Sequence, residues 1–510
     1  MLCSLRRGSR CRPQKSSGFW RRPGSVPGAG GCRLNSVIVI GGGLAGLSSG
    51  VALAEAGLRV RLFELRQHLG GRATSYDLPD GTHVDNCQHV TLGCCTNLDD
   101  FFRRTGAASK IRWFDRLYFL DRRGQRGIIS AAPLPAPLHL APALARFPSL
   151  RWEDRRAILR ALRAIVRHGG PPPDAHDVTM LDWLRRHRQP PGAVERFWRV
   201  VLVSALNEEL DRASARYGTD VFWKAFLAHR EGFRMGVPSV PLAELYTGCR
   251  RAIERAGGEI RTRAAVRKLE VEHGRIVGAR FDNGELATAD FYIAAVPHDA
   301  LLALLPEAVV ERHAELAGLR RLQVSPITGV HLLYDRPVMR EPFLTLLDRT
   351  VQWIFNKTLL YGAPATQKEG EQYLQLVVSA SYDLLARSRQ QIVELACAEL
   401  AEVLPATHTA RLLKSTVVKE AAATFSPTPE ADRWRVGPAT DIPNLLLAGD
   451  WTATGWPGTM EGAVRSGYRA AEVILARCGQ PRSLLRADLP AEGLAAFFSR
   501  TSRNRQKESS

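Results

Sequence analysis

Residues 36–64, SVIVIGGGLAGLSSGVALAEAGLRVRLFE, decide the fold. The β-branched run SVIVI leads directly into Gly41-Gly42-Gly43-Leu44-Ala45-Gly46. A helix-forming stretch follows and closes at Gly57, a C-cap glycine, and the alternating segment LRVRLFE makes a second strand ending at Glu64. Each glycine has a physical task in such a unit. Gly41 permits the tight turn out of the strand, Gly43 lets the backbone approach a pyrophosphate, and Gly46 lets helix and strand pack closely. The helix start at Leu44-Ala45-Gly46 offers free N–H groups and the positive end of its dipole to phosphates. Glu64 is placed to accept hydrogen bonds from a ribose hydroxyl. The competing reading is a glycine-rich turn with no ligand; strand, helix, second strand and acid standing in register weigh against it.

Working outward, Leu69-Gly70-Gly71-Arg72 follows at once, and a guanidinium behind two glycines can reach back to the same pyrophosphate. A second sheet-like block spans about 259–297, with turns at His273-Gly274 and Asn283-Gly284. Late in the chain Ala448-Gly449-Asp450 ends a strand, and GTMEGA (458–463) enters a helix running from about Met460 to Arg477. The absence of a second GxGxxG argues against a built-in NAD(P) domain. Between these pieces, 106–250 is rich in Arg, Leu, Trp and Pro and reads as mostly helical, while 301–435 mixes strands with a helix around 388–404. The predicted fold class is α/β, a Rossmann-type domain interleaved with an α+β substrate domain. The expected boundaries are 37–105, 251–300 and 436–478 for the first domain and 106–250 with 301–435 for the second. Residues 1–36 then form a basic extension and 479–510 a C-terminal tail.

Composition narrows the function. With 510 residues, 45% hydrophobic and 24% charged, the chain is neither disordered nor fibrous. No stretch approaches the ~20 apolar residues of a membrane-spanning helix. The formal charge of +19 sits largely at the ends: residues 1–36 hold eight Arg and Lys and no acid, the last twelve residues add a net +3, and +8 remains between. A nucleic-acid partner would rest on those ends alone, and none is expected. The acid-free leader reads as an unstructured extension, a misplaced start or a transit peptide. Nine scattered cysteines without a CxxC pair fit a reducing, cytoplasmic setting, and no metal site is expected.

The GGGLAG start, Glu64, the LGGR segment and the late AGD and GTMEGAV blocks resemble the FAD fold of amine oxidases and carotenoid desaturases. The resemblance implies a glutathione-reductase-like FAD domain. Gly71, Arg72, Gly449 and Asp450 would then meet the cofactor, Asp450 at the ribitol or pyrophosphate. Val266 would give a backbone contact to adenine, and the helix beginning at Met460 would point its N-terminus at the flavin. Four further segments, DNCQHVTLGCCTNL (85–98), PLHLAPALARFPSL (137–150), FWRVVLVSALNEELDRAS (197–214) and VPSVPLAELY (237–246), resemble the squalene-associated branch, the hydroxysqualene dehydroxylases. That likeness implies reductive removal of the hydroxyl of hydroxysqualene, an allylic C30 alcohol, to give squalene for hopanoid or sterol synthesis. An external electron donor would reduce the flavin. The alternatives are a phytoene-type desaturase running hydride toward the flavin and a non-catalytic isoprenoid-binding escort.

Loss of hydroxide from an allylic carbon needs a proton donor. His89 is the candidate, with Asp85 orienting or charging its imidazole; the competing reading has both merely bonding backbone. Cys87 and the pair Cys94-Cys95 read as packing residues. Trp456-Pro457 stands where amine oxidases usually place a cage tyrosine, which argues against amine oxidation. Asn207 reads either as a contact for the alcohol or as a helix cap. Over 149–169, Ser149 is the expected cap of a helix with Trp152, Ile158, Leu159, Leu162, Ile165 and Val166 on one face and five arginines on the rest. Such a helix either exposes a solvated arginine face or lies in an anionic membrane surface, so peripheral membrane association is expected.

Overall fold

The SVIVI run forms the strand Ser36–Ile40 at the centre of a five-stranded, all-parallel sheet. Its neighbours are Arg59–Phe63 on one side and Phe291–Ala294 on the other, with Glu259–Arg261 and Leu445–Leu447 at the edges. Both faces are covered, which is why the central strand is apolar throughout rather than alternating. Val37 and Val39 face the helices Leu44–Glu55, Thr247–Arg255 and Met460–Arg477. Ile38 and Ile40 face the three-stranded sheet of residues 266–287 and the helices that follow it. Burying each of these side chains contributes about 1.5–3 kcal/mol. In this computed structural model residues 35–79, 81–362 and 368–499 are described, and all fall in one compact unit. The basic leader through Leu34 and the last residues from Arg500 lie outside the described residues.

A second, seven-stranded sheet runs in the order Leu412–Phe425, Val324–Tyr334, Gln372–Ser379, Trp353–Asn356, Phe343–Leu346, Arg116–Leu120, Arg126–Ser130. Segments on either side of the nucleotide-type strands therefore meet in one sheet, joined by a parallel pairing of Thr345 with Phe119. One face, with Leu332, Leu374, Leu376 and Ile354, packs on the helix Arg389–Val403. The other, with Phe119, Phe343, Phe355 and Val377, faces the helical region of residues 138–228. The segment 106–250 is mostly helical, as expected, and it also supplies Ile111–Phe114, Arg116–Leu120, Arg126–Ser130 and Met235–Pro238 as strands. These strands are short and lie beside proline-rich connections, so their alternation was masked.

Residues 480–499 are not a loose tail. Leu484 and Leu485 N–H groups donate to Glu472, Arg486 pairs with Asp100, and Ala495 is fully buried. The helix Trp152–His168 ends at Gly169 as expected, at φ +64°. Its cap is Arg151, whose N–H donates to Asp154 at 2.9 Å, while the Ser149 hydroxyl donates to Asp121 instead. Among the described residues no helix is long and apolar enough to cross a membrane.

Candidate active site

The glycine loop is built for close approach. A Cβ on Gly41 would overlap the carbonyl of Ala295, and one on Gly46 would overlap the carbonyl of Gly41. Above Gly43 the nearest atom to a Cβ would be Cα of Gly71, 3.8 Å away, because Gly70 N–H donates to Gly42 O at 2.8 Å and lays the LGGR segment over the loop. The helix from Leu44 to Glu55 has a glycine N-cap, no capping side chain and no acid in its first turn. Its first-turn N–H groups are thus left for an anion. The buried carboxylate of Glu64 accepts from Gly42 N–H at 2.6 Å and from Arg66 N–H at 2.8 Å, which fixes it beside the loop.

Arg72 binds Asp450, and its other terminal nitrogen donates to Ala423 O at 2.6 Å. Gly449 N–H donates to Ser466 Oγ at 2.8 Å, which ties the AGD turn to the helix beginning at Met460. A Cβ on Gly467 would overlap Ser48 Oγ and the carbonyl of Ala45, so the helices Leu44–Glu55 and Met460–Arg477 touch along their backbones. Val266 opens a strand two residues after Ala264, whose N–H donates to Glu64 O at 2.9 Å. Arg435, which sequence reasoning missed, lies buried behind the 450–456 loop and donates to the carbonyls of Asp450, Trp451 and Trp456. A lone arginine in an unremarkable turn carried no signal.

The second half of the site centres on Asp85, and here the sequence expectation needs correction. Asp85 does not orient His89. Its carboxylate accepts from Lys357 Nζ at 2.6 Å, Tyr361 hydroxyl at 2.7 Å and Leu242 N–H at 3.2 Å. Lys357 Nζ also donates to Gln88 Oε1 at 2.8 Å and lies 3.7 Å from the Tyr361 ring centre. Asp85 and Lys357 are both buried. Burial pushes the Asp85 carboxyl up, but the ammonium and the bonds from Lys357, Tyr361 and Leu242 outweigh it and hold it below the usual carboxylate range. Burial also draws the Lys357 ammonium below its ordinary value, against the pull of Asp85. His89 is pushed down to about 4 by burial, so at neutral pH its imidazole is uncharged and holds no spare proton. One of its ring nitrogens, Nδ1, is buried without a partner. Lys357, 272 residues from Asp85, was invisible to sequence reasoning.

Around this pair the second sheet presents further polar groups on its cavity side. His331 Nδ1 lies 2.6 Å from the Tyr373 hydroxyl, its Nε2 has no partner, and burial holds it uncharged at about 4. Gln375, directly across from His331 and fully buried, has neither amide atom hydrogen-bonded. At Phe119 the same face of the sheet borders an apolar cavity of about 370 Å³ lined also by Leu144, Phe147, Phe197, Phe222 and Leu227, among others. Its walls belong to one apolar cluster that reaches Val90 and Tyr361, beside His89 and Asp85.

A family model described as flavin containing amine oxidoreductase matches residues 44–475. The chain belongs to this family. The chain is similar to the hydroxysqualene dehydroxylase of Sinorhizobium fredii, 29% identical over 86% of its length and 98% of that protein. It is also similar to the 15-cis-phytoene desaturase of Synechococcus elongatus, 27% identical over 86% of this chain and 96% of the relative. Among solved structures, cyclohexylamine oxidase of Brevibacterium oxydans shares the fold, with a TM-score of 0.65 at 17% identity over 87% of this chain and 99% of that one.

This family member is an FAD-dependent oxidoreductase. The residues present fit that cofactor: an uncapped helix start, a Gly43 that leaves room for a close backbone approach and a buried acid beside the loop. Not every residue of the quoted motifs faces a ligand. Glu461 of GTMEGA accepts from Leu98 N–H at 2.7 Å and Asn97 N–H at 3.2 Å, capping the helix Thr96–Thr105. Asn207 is a left-handed helix cap at φ +52°, and its amide is used by Ser325 O, Thr424 Oγ1 and Ala380 N–H, so it is not free for an alcohol. Cys94 and Cys95 are free thiols, and Cys94 is buried against Ala225 and Trp456.

Proposed function

We propose that the protein is a hydroxysqualene dehydroxylase, replacing the hydroxyl of an allylic C30 alcohol with hydride to give squalene. One observation carries the reading: unpartnered polar atoms of His89, His331 and Gln375 stand with the Lys357 ammonium on the polar side of an otherwise apolar cluster. A pure hydrocarbon would leave those atoms unsatisfied, at about 1–3 kcal/mol each. An alcohol oxygen both accepts and donates.

Bound in its reduced form, FAD supplies the hydride, with electrons from an external donor. Lys357 provides the proton that leaves with the hydroxyl as water when the C–O bond breaks, and its lowered pKa eases that release. Asp85 and Tyr361 hold Nζ in place and keep the pair neutral, so a developing allylic cation meets no net positive charge. The aromatic and aliphatic walls align the polyene and exclude water. In this reading the parallel sheet is a Rossmann-type FAD domain of 37–105, 251–300 and 436–478, and 106–250 with 301–435 holds the substrate. A phytoene-type desaturase is the second reading, favoured by the comparable likeness to that relative.

The test is discrimination in binding. Titrating oxidised holoenzyme with hydroxysqualene and with squalene, read by the flavin spectrum, is expected to show at least about tenfold tighter binding of the alcohol. Equal affinity would remove the polar cluster as the basis of the assignment.

A further inference from the structure

Large apolar side chains are exposed at three distant places in the chain: Leu134 and Leu138, then Trp152 and Leu159, then Leu494, Phe497 and Phe498. The fold brings these places together. Ala495 N–H donates to Ala136 O at 3.1 Å, and a Cβ on Gly493 would lie 2.7 Å from Pro135 Cβ. A Cβ on Gly169, at the end of the helix Trp152–His168, would lie 2.8 Å from Ser499 Cα. Three of the exposed residues, Leu138, Leu159 and Phe498, also line the apolar cavity and so form its mouth.

The surroundings of the mouth are basic. Arg163 and Arg167 line the cavity beside Leu159, and Arg156 and Arg160 are exposed on the same helix. Among the described residues none of the four takes part in an ion pair, whereas Arg103, Arg196, Arg199 and Arg216 each face an acid. From this mouth the chain continues as RTSRNRQKESS, with three arginines, a lysine and one acid. Exposed apolar side chains ringed by unmatched arginines complement a surface that is apolar inside and anionic at its edge.

We infer that this face docks on an anionic lipid bilayer, with Leu138, Leu159, Phe497 and Phe498 among the acyl chains and the arginines at the phosphates. The cavity then opens directly into the hydrocarbon, and a water-insoluble ligand passes between bilayer and chamber without crossing water. The C-terminal residues 493–499 act as one lip of the entrance. The docking does not depend on which reaction the flavin site runs, so its test is separate from that of the proposed function.

The test uses full-length holoenzyme, with bound flavin as the marker of folding. Cosedimentation is measured with vesicles of phosphatidylcholine alone and with one third phosphatidylglycerol. The wild type is expected to bind the anionic vesicles at least about tenfold more tightly, and added salt should weaken the binding. Phe497→Ser with Phe498→Ser, and separately Arg163→Gln with Arg167→Gln, should each lower binding on the order of tenfold while flavin is retained. Removal of residues 500–510 serves as a third variant. No binding to either vesicle, unchanged binding in both double variants, or complete loss on removing 500–510 alone would overturn the proposal. So would a concentration-dependent dimer abolished by the phenylalanine substitutions, because a second copy would then cover this face.

Discussion

Replacing Lys357 by Met removes the ammonium paired with Asp85 and leaves its side-chain volume nearly intact. The carboxylate, 2% exposed, would keep only the Tyr361 hydroxyl and the Leu242 N–H as donors. Breaking one side of a buried pair costs about 3–5 kcal/mol. An unfolding entropy of about 2 cal/mol/K per residue amounts to on the order of 1 kcal/mol/K over this body, so Tm should fall by roughly 3–5 °C at pH 7. The pH dependence has a definite sign. In the wild type Asp85 sits below its ordinary value, so its contribution is present above the unfolded carboxyl range and lost as pH falls through the folded value. In the variant burial prevails and raises the carboxyl, so the folded protein binds a proton that the unfolded chain releases. The penalty should therefore shrink as pH falls from 7 toward 5. Thermal unfolding of holoenzyme, followed by flavin release at several pH values, measures this for Lys357→Met, Asp85→Asn and the double variant. The double variant should recover most of the loss. If Lys357→Met melts like wild type at every pH, or the two losses simply add, the buried pair is not what the structure describes.

Other residues give further checks. Gly467→Ala forces apart two helices that meet backbone to backbone, so a loss of about 3 kcal/mol and a drop in flavin content on purification are expected. Glu64→Ala removes the acceptor of Gly42 N–H and the carboxylate expected to meet the ribose; FAD should dissociate about ten to a hundred times more readily, measured by apo-protein titration. At Asn207, glycine tolerates φ +52° and alanine does not. Asn207→Gly should therefore melt above Asn207→Ala by about 1–2 kcal/mol, with both below wild type because three hydrogen bonds are lost. His89→Ala should slow turnover less than Lys357→Met in steady-state assays, since an imidazole held near 4 is neutral at pH 7 and lacks the acidic second proton.

What the sequence made legible is local. Gly41, Gly43, Gly46 and Glu64 lie within one strand-turn-helix-strand unit and were readable from it, although the atoms that crowd Gly41 and face Gly43 come from Ala295 and Gly71. The helix beginning at Met460 was likewise readable from its own start. The polar cluster was half legible. Asp85 and His89 stood out in one segment, but the partner that decides their chemistry comes from a short helix, Lys357–Tyr361, brought in by a sheet assembled from two separated stretches. Nothing in the local pattern around Lys357 distinguishes it from a surface lysine. The helix 152–168 shows the same limit: its apolar face was recognised, yet Trp152 and Leu159 face outward, because the covering elements bury Ala157, Ile158, Ala161, Ile165 and Val166 instead. Residues 480–499 read as a tail because their anchors, Glu472, Asn97 and Asp100, lie on other elements.

The central claim is tested most directly by an anaerobic single turnover. Holoenzyme with chemically reduced flavin is mixed with hydroxysqualene, and the flavin spectrum and extracted lipids are followed together. The account predicts flavin reoxidation at the rate squalene appears, one for one, with Lys357→Met strongly slowed. Reduced enzyme that leaves hydroxysqualene untouched, while oxidised enzyme dehydrogenates a polyene, would contradict it.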